Sequence, residues 1–61
     1  MREIKSTSEA ENFILSEYFE PAAYRGVDLR ALAPIMAGKD FGASLFLGCE
    51  LDPATVCQVA Q

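Results

Sequence analysis

The apolar residues near the N-terminus follow the period of an α-helix. Four of them recur at i, i+3, i+4 and i+8, which places them on one helical face: Ala10, Phe13, Ile14 and Tyr18. Ser8 and Glu11 are spaced as a capping box, and Pro21 disfavours helical geometry in the residue before it. The pattern predicts a short extended strand within residues 2–6, followed by an α-helix over residues 8–19.

A different period, of five residues, follows. A large apolar residue recurs at the centre of successive groups of five: Tyr24, Leu29, Phe41, Phe46 and Leu51. In pentapeptide-type coils this central residue points inward together with the small residue two places before it, and Ser44 and Cys49 occupy that small position. The continuous apolar run at residues 45–47 equally suits a strand buried on both faces of an ordinary sheet. Short strands are predicted within residues 22–29 and 41–51, either as a pentapeptide-like coil or as a small sheet.

Two shorter helices complete the predicted elements. Because proline fits the first turn of a helix and breaks its interior, Pro34 predicts either a short helix near residues 33–37 or an irregular crossover. Asp52 followed by Pro53 is an acidic N-cap with proline at the first helical position. This pair predicts a C-terminal helix over residues 53–60.

The chain is short and rich in apolar residues. Its 61 residues allow one domain, so residues 1–61 are expected to form a single small α/β (α+β) domain. A chain of this length buries only about 60% of its unfolded surface, yet 51% of the residues are hydrophobic. Exposed apolar patches usually contact another chain or domain. We therefore expect association with an adjacent domain of the same chain or with a second copy, through Phe46, Leu47, Val56 and Val59.

Charge and targeting signals narrow the class of partner. The formal net charge is −4, with five basic and nine acidic side chains, and this balance disfavours contact with a nucleic-acid backbone. The sequence has neither a signal-peptide pattern nor an apolar run long enough to span a membrane. Cys49 and Cys57 are therefore expected as free thiols in the cytoplasm, with no nucleic-acid or membrane partner.

No residue set in the sequence predicts catalysis. The candidate carboxylate pairs are Glu50 with Asp52 and Asp28 with Asp40, but the five-residue frame directs Asp28, Asp40 and Glu50 outward as solvated charges. A cysteine nucleophile would lack a histidine base, and two cysteines without histidine do not complete a tetrahedral metal site. We expect no enzyme activity from these residues, and no catalytic, cofactor-binding or metal-binding residue among them.

Two segments resemble a known family. The runs Tyr24–Leu29 and Gly42–Pro53 are similar to the N-terminal segment that precedes the Rossmann-like domain in some bacterial proteins of the Lonely Guy (LOG) family, formerly labelled lysine decarboxylase-like. The most specific part of the likeness is Phe46–Pro53. That family comprises nucleotide phosphoribohydrolases, which release cytokinin-type bases from riboside monophosphates. Its catalytic signature, a proline–glycine–glycine–x–glycine–threonine run with a downstream glutamate, has no counterpart in this sequence.

The resemblance implies a context rather than an activity. It implies a non-catalytic accessory domain at the N-terminal end of a longer protein, beside a nucleotide-hydrolysing domain. Two alternatives stay open from the sequence: that the chain is the visible front of a LOG-type hydrolase, or that it is a stand-alone small acidic protein-interaction module.

Overall fold

The structure, a computed structural model, describes the backbone of residues 1–59 and the side chains through residue 57. Three strands alternate with helices along the chain. In order they are β1 (Arg2–Ile4), α1 (Thr7–Leu15), β2 (Ala22–Arg25), a 3-10 turn (Arg30–Leu32) that runs directly into α2 (Ala33–Met36), β3 (Leu45–Leu47) and α3 (Pro53–Val59). The predicted class, a small α/β domain, is confirmed.

The strands form one parallel sheet in the order β1-β2-β3. Between β2 and β3 the paired residues always lie 22 positions apart, as in Tyr24 with Phe46 and, beyond the strands, Asp28 with Glu50. Residues 22–29 and 44–51 therefore follow the same path side by side. Of the two predicted arrangements, the structure has the small sheet, with helices and turns connecting its strands.

Matched bends keep the two paths in register after the strands end. Gly26 and Gly48, also 22 positions apart, have φ values of 62° and 67°. This left-handed region is strained for residues with a Cβ atom, so glycine is the natural choice for both bends. After the bends the Leu29 amide donates to the Glu50 carbonyl at 2.8 Å, which continues the pairing.

The core lies between the inner face of the sheet and the helices. Ile4, Tyr24 and Phe46 are aligned across the three strands. Other core members come from α1, α2 and the connecting turns: Ala10, Phe13, Ile14, Val27, Leu29, Leu32, Met36 and Phe41. Of the five-residue centres, Tyr24, Leu29 and Phe41 are buried, while Phe46 and Leu51 are half-buried against this core. The prediction that the centres pack inward is confirmed.

The two small residues of the five-residue frame, Ser44 and Cys49, form hydrogen bonds in addition to fitting a narrow space. Ser44 Oγ accepts a hydrogen bond from the Ala22 amide at 3.2 Å, and the Cys49 thiol donates to the Tyr24 carbonyl at 3.1 Å. Both bonds run from the third strand path to the second. A small polar side chain at these positions therefore stabilises the contact between neighbouring strand paths.

The first helix begins earlier than predicted, and the expected capping box of Ser8 and Glu11 is wrong. The N-cap is Ser6, whose Oγ accepts from the Glu9 amide at 3.2 Å. Glu9 in turn accepts from the Lys5 amide at 3.3 Å. The same serine-to-glutamate spacing thus occurs two residues upstream, where it satisfies amides that the helix leaves free.

The first helix also ends at Leu15 rather than near residue 19. Ser16 adopts an extended backbone with ψ 150°, and its Oγ accepts from the Tyr18 amide at 2.9 Å. Such local side-chain bonds compete with helical hydrogen bonding. Since the helix stops before Tyr18, this ring is 76% exposed and does not join the predicted apolar stripe.

The remaining elements are close to their predicted positions. The short helix α2 has Pro34 in its first turn, and Asp52 caps α3 by accepting from the Ala54 amide at 3.1 Å. The strand predicted within residues 41–51 is confined to β3, because residues 41–44 form a turn closed by a 2.9 Å bond from the Ser44 amide to the Phe41 carbonyl. Residue 60, the predicted end of α3, lies outside the described residues.

Candidate interaction surface

The two edges of the sheet differ in charge. At the β1 edge, Glu3 forms an ion pair with Arg25 at 3.1 Å, and the guanidinium of Arg2 lies 4.8 Å from the centre of the Phe13 ring. At the opposite edge, β3 consists of Leu45, Phe46 and Leu47 and carries no charge. Charged side chains on an edge strand discourage pairing with other chains, so only the β1 edge has this protection.

Two leucines on β3 point to the outer face of the sheet. Leu45 is 51% exposed and Leu47 is 43% exposed, while Phe46 between them points inward. Alternate residues of a strand share a face, which is why the two leucines lie together. We call Leu45, Leu47 and the backbone edge of residues 45–47, which residues 1–59 leave free of a further strand, the β3 surface.

The backbone of Phe46 forms the centre of that free edge. The Gly26 amide donates to the Leu47 carbonyl at 2.8 Å. In a parallel ladder the residue that accepts in this way directs both of its backbone groups toward the neighbouring strand, and the residues before and after it direct theirs away. The N–H and C=O of Phe46 therefore point away from β2.

The predicted surface residues occupy different environments. Leu47 and Val56 are exposed. The ring of Phe46 is stacked on Tyr24, with centroids 4.9 Å apart and planes 5° apart, so it contributes to the core as well as to the rim. The side chain of Val59 lies outside the described residues. Leu45 was missed by the sequence reasoning, although its i, i+2 spacing with Leu47 is the signal that places both on one face.

The strand pairing also brings two carboxylates together. Asp28 and Glu50 are bridge partners, and Arg30 lies between them, 2.9 Å from Asp28 Oδ2 and 3.1 Å from Glu50 Oε2. Hydrogen bonds from the Arg30 side chain and amide hold the pKa of Asp28 at about 2. A general acid near neutral pH needs a raised pKa, so this cluster is suited to an ion pair that fastens the two strand paths.

The other candidate residues have structural roles. Asp40 accepts from the Gly42 amide at 2.9 Å, and Asp52 caps α3, so the predicted pairs Asp28–Asp40 and Glu50–Asp52 are not assembled as acid–base sites. Cys49 is half-buried, Cys57 is exposed, and both are free thiols. In the part of the chain that the structure describes, no group of three or more His, Cys, Asp or Glu side chains is placed to hold a metal ion.

An open groove of about 360 Å³ runs between β1 and α1. Its charged lining residues are Arg2 and Glu9, and Asn12, Phe13, Ser16 and Tyr18 complete the wall. The guanidinium and the carboxylate have opposite signs, so the groove has no charge preference that would select an anionic or a cationic ligand. The β3 surface remains the feature with a defined binding chemistry.

No protein-family model, curated protein or solved structure matches this chain. Among the helices of residues 1–59, none combines the length and the apolar character needed to cross a membrane.

Proposed function

We propose that this chain is a non-catalytic accessory domain that binds a protein partner through the β3 surface. The observation that supports the proposal is the asymmetry of the sheet: the β1 edge is charged, whereas the β3 edge is uncharged and has two exposed leucines beside it. An uncharged edge strand is a template for pairing with another chain. A partner seated there satisfies the free backbone groups and removes apolar surface from water.

The leucines give this surface part of its affinity. Full burial of a leucine side chain contributes about 1.5–3 kcal/mol, and both leucines are roughly half exposed, so each adds about 1 kcal/mol when covered. Backbone hydrogen bonds supply the remainder and fix the orientation, as in other cases of strand addition.

The sequence resemblance supports a proposal about the longer protein in which this domain lies, separate from the partner bound at the β3 surface. The runs Tyr24–Leu29 and Gly42–Pro53 favour a nucleotide phosphoribohydrolase-like domain in the same protein as the context of this accessory domain. The proposal includes a cytoplasmic location, which is supported by the free thiols of Cys49 and Cys57, since disulfides form in oxidising compartments. Reading the coding sequence for a glycine-rich Rossmann stretch tests the proposed neighbour.

Site-specific photo-crosslinking tests the binding surface. The photoreactive residue p-benzoylphenylalanine replaces Leu47 in one variant and Glu11, an exposed residue of α1, in the control. In the cells that produce the protein, position 47 is expected to give a discrete adduct, identified by mass spectrometry, that disappears when Leu45→Lys is added. Equal labelling from position 11, or no adduct from position 47, would contradict the proposal. Circular dichroism of each variant verifies the fold.

A further inference from the structure

We propose that the partner at the β3 surface is a second copy of this chain, bound by antiparallel pairing of β3 with β3 about a two-fold axis at Phe46. The inference rests on the proposed function, because it names the occupant of the same surface. The product is a dimer with one continuous six-stranded sheet, three strands from each copy.

The backbone of β3 presents the donors and acceptors that this pairing needs. The N–H and C=O of Phe46 point away from β2, so on a two-fold axis each copy donates one bond to Phe46 of the other and accepts one. The Leu47 C=O and the Leu45 N–H point toward β2, and in a trans peptide the N–H and C=O point in opposite directions. The Gly48 N–H and the Ser44 C=O, which belong to those same two peptides, therefore point away from β2 and can add a second pair of bonds. The antiparallel register centred on Phe46 therefore predicts four backbone hydrogen bonds.

Charge favours the two-fold arrangement over a head-to-tail one. Residues 44–48 carry no charged side chain, so the dimer brings no like charges face to face at its centre, despite the net charge of −4 on each copy. Head-to-tail packing would instead place the β1 edge, with Arg2, Glu3 and nearby Lys5, against the apolar β3 edge. Head-to-tail packing would also leave an unpaired edge at each end, so further copies could add and form a filament. The two-fold contact uses the β3 edge of both copies and therefore stops at a dimer.

The side chains agree with the register. Leu45 would lie opposite Leu47 of the second copy on the outer face, and each such cross-strand apolar pair favours association. On the inner face the half-buried ring of Phe46 would meet the same ring of the second copy. One contact would thus cover the partly exposed leucines on the outer face of β3 and the partly exposed phenylalanine on its inner face.

The size of the contact sets the expected affinity. The molecule measures 23 × 21 × 19 Å, so one end presents roughly 400 Å², about half of the ~800 Å² per partner of a standard interface. We therefore expect a weak dimer with a dissociation constant of roughly 0.1–1 mM.

Backbone N-methylation provides a test that leaves every side chain in place. The 61-residue chain is short enough for chemical synthesis, and an N-methyl group at Phe46 removes the outward N–H at the centre of the proposed interface. The matched control is an N-methyl group at Glu3, because the same ladder geometry turns its N–H away from β2 at the other edge. Sedimentation equilibrium is measured up to about 2 mM, above the expected dissociation constant.

At about 2 mM the unmodified chain is expected to reach roughly 1.6–1.9 times its monomer mass. N-methylation of Phe46 should weaken association at least about tenfold, and N-methylation of Glu3 should leave it unchanged. A monomeric unmodified chain, equal loss in both variants, or no loss in either would overturn the two-fold β3 pairing. A monomeric chain that still crosslinks from position 47 to a different protein would refute this inference alone and leave the proposed function standing.

Discussion

At the scale of the residue, Tyr24 combines tight packing with an unsatisfied hydroxyl group. Its side chain is fully buried, its ring is stacked on Phe46 and meets Phe41 at 6.3 Å, and its hydroxyl has no hydrogen-bond partner among the described residues. Removing an unpaired buried hydroxyl removes its desolvation cost while the ring packing stays. We expect Tyr24→Phe to raise the free energy of unfolding by about 1 kcal/mol in urea denaturation. Tyr18→Phe, at an exposed ring, serves as the control, and a destabilised Tyr24→Phe would show that the hydroxyl has a partner.

The same hydroxyl makes stability depend on alkaline pH. Burial raises the pKa of Tyr24 from 10.0 to about 12, with a smaller contribution from Cys49. Between these values the unfolded chain has lost the proton and the folded chain has kept it, so unfolding is favoured as pH rises. Below pH 10 the ionisation of Tyr24 does not lower the free energy of unfolding. Between pH 10 and about pH 12 the free energy of unfolding falls by roughly 2–3 kcal/mol. Comparing unfolding of the wild type and Tyr24→Phe across this range isolates the effect; parallel curves would refute it.

At the scale of the element, the paired bends at Gly26 and Gly48 hold the second and third strand paths together. A Cβ atom added at either position meets nothing within 4 Å, so substitution there tests backbone strain without a steric clash. We expect Gly26→Ala and Gly48→Ala each to lower the free energy of unfolding by about 1–2 kcal/mol, and Gly26→Asn to cost less, because asparagine tolerates the left-handed region better. Thermal and urea unfolding measure these changes. An alanine variant as stable as the wild type would mean that the bend is not left-handed.

Elements with one strong local signal were predictable from sequence, and those with competing signals were not. Asp52 with Pro53 specified the start of α3 because no other cap is adjacent. Around α1, serines at positions 6 and 8 offer the same capping chemistry, and only the packing of the buried face selects Ser6. Ser16 ended the helix before proline could, through a local hydrogen bond that hydrophobic spacing does not encode.

The candidate surface was predictable in part, because composition indicates that apolar side chains stay exposed but does not give the order of the strands. The apolar excess indicated that some large side chains stay exposed, and the inward centres followed from the period of five residues. The sequence did not reveal that β3 lies at the edge of the sheet, since strand order depends on contacts between distant residues. Without that order, Phe46 and Leu47 were both assigned to the interaction surface, whereas the sheet turns the Phe46 ring toward the core and leaves Leu45 and Leu47 outside.

At the scale of the whole molecule, the two edge strands of the sheet differ in how deeply their central inward side chains are buried. Ile4 on the first edge strand is fully buried, whereas Phe46 on the last is only half-buried. When strand–helix units stack, each unit is stabilised mainly by its neighbours, and a terminal unit without a cover opens most easily. The third unit, β3 with α3, should therefore open before the β1–β2 pair does.

Native-state hydrogen exchange in dilute solution, where any dimer has dissociated, measures this difference. The amides of Leu45 and Leu47, which point toward β2, are expected to exchange with an opening free energy at least about 1 kcal/mol below that of Ile4 and Arg25, which join β1 to β2. Adding urea should merge the two groups, since a local opening exposes less surface than global unfolding and responds less to denaturant. One common value for all four amides without urea would mean that the domain opens as a single unit, and that the β3 edge is no less stable than the β1 edge.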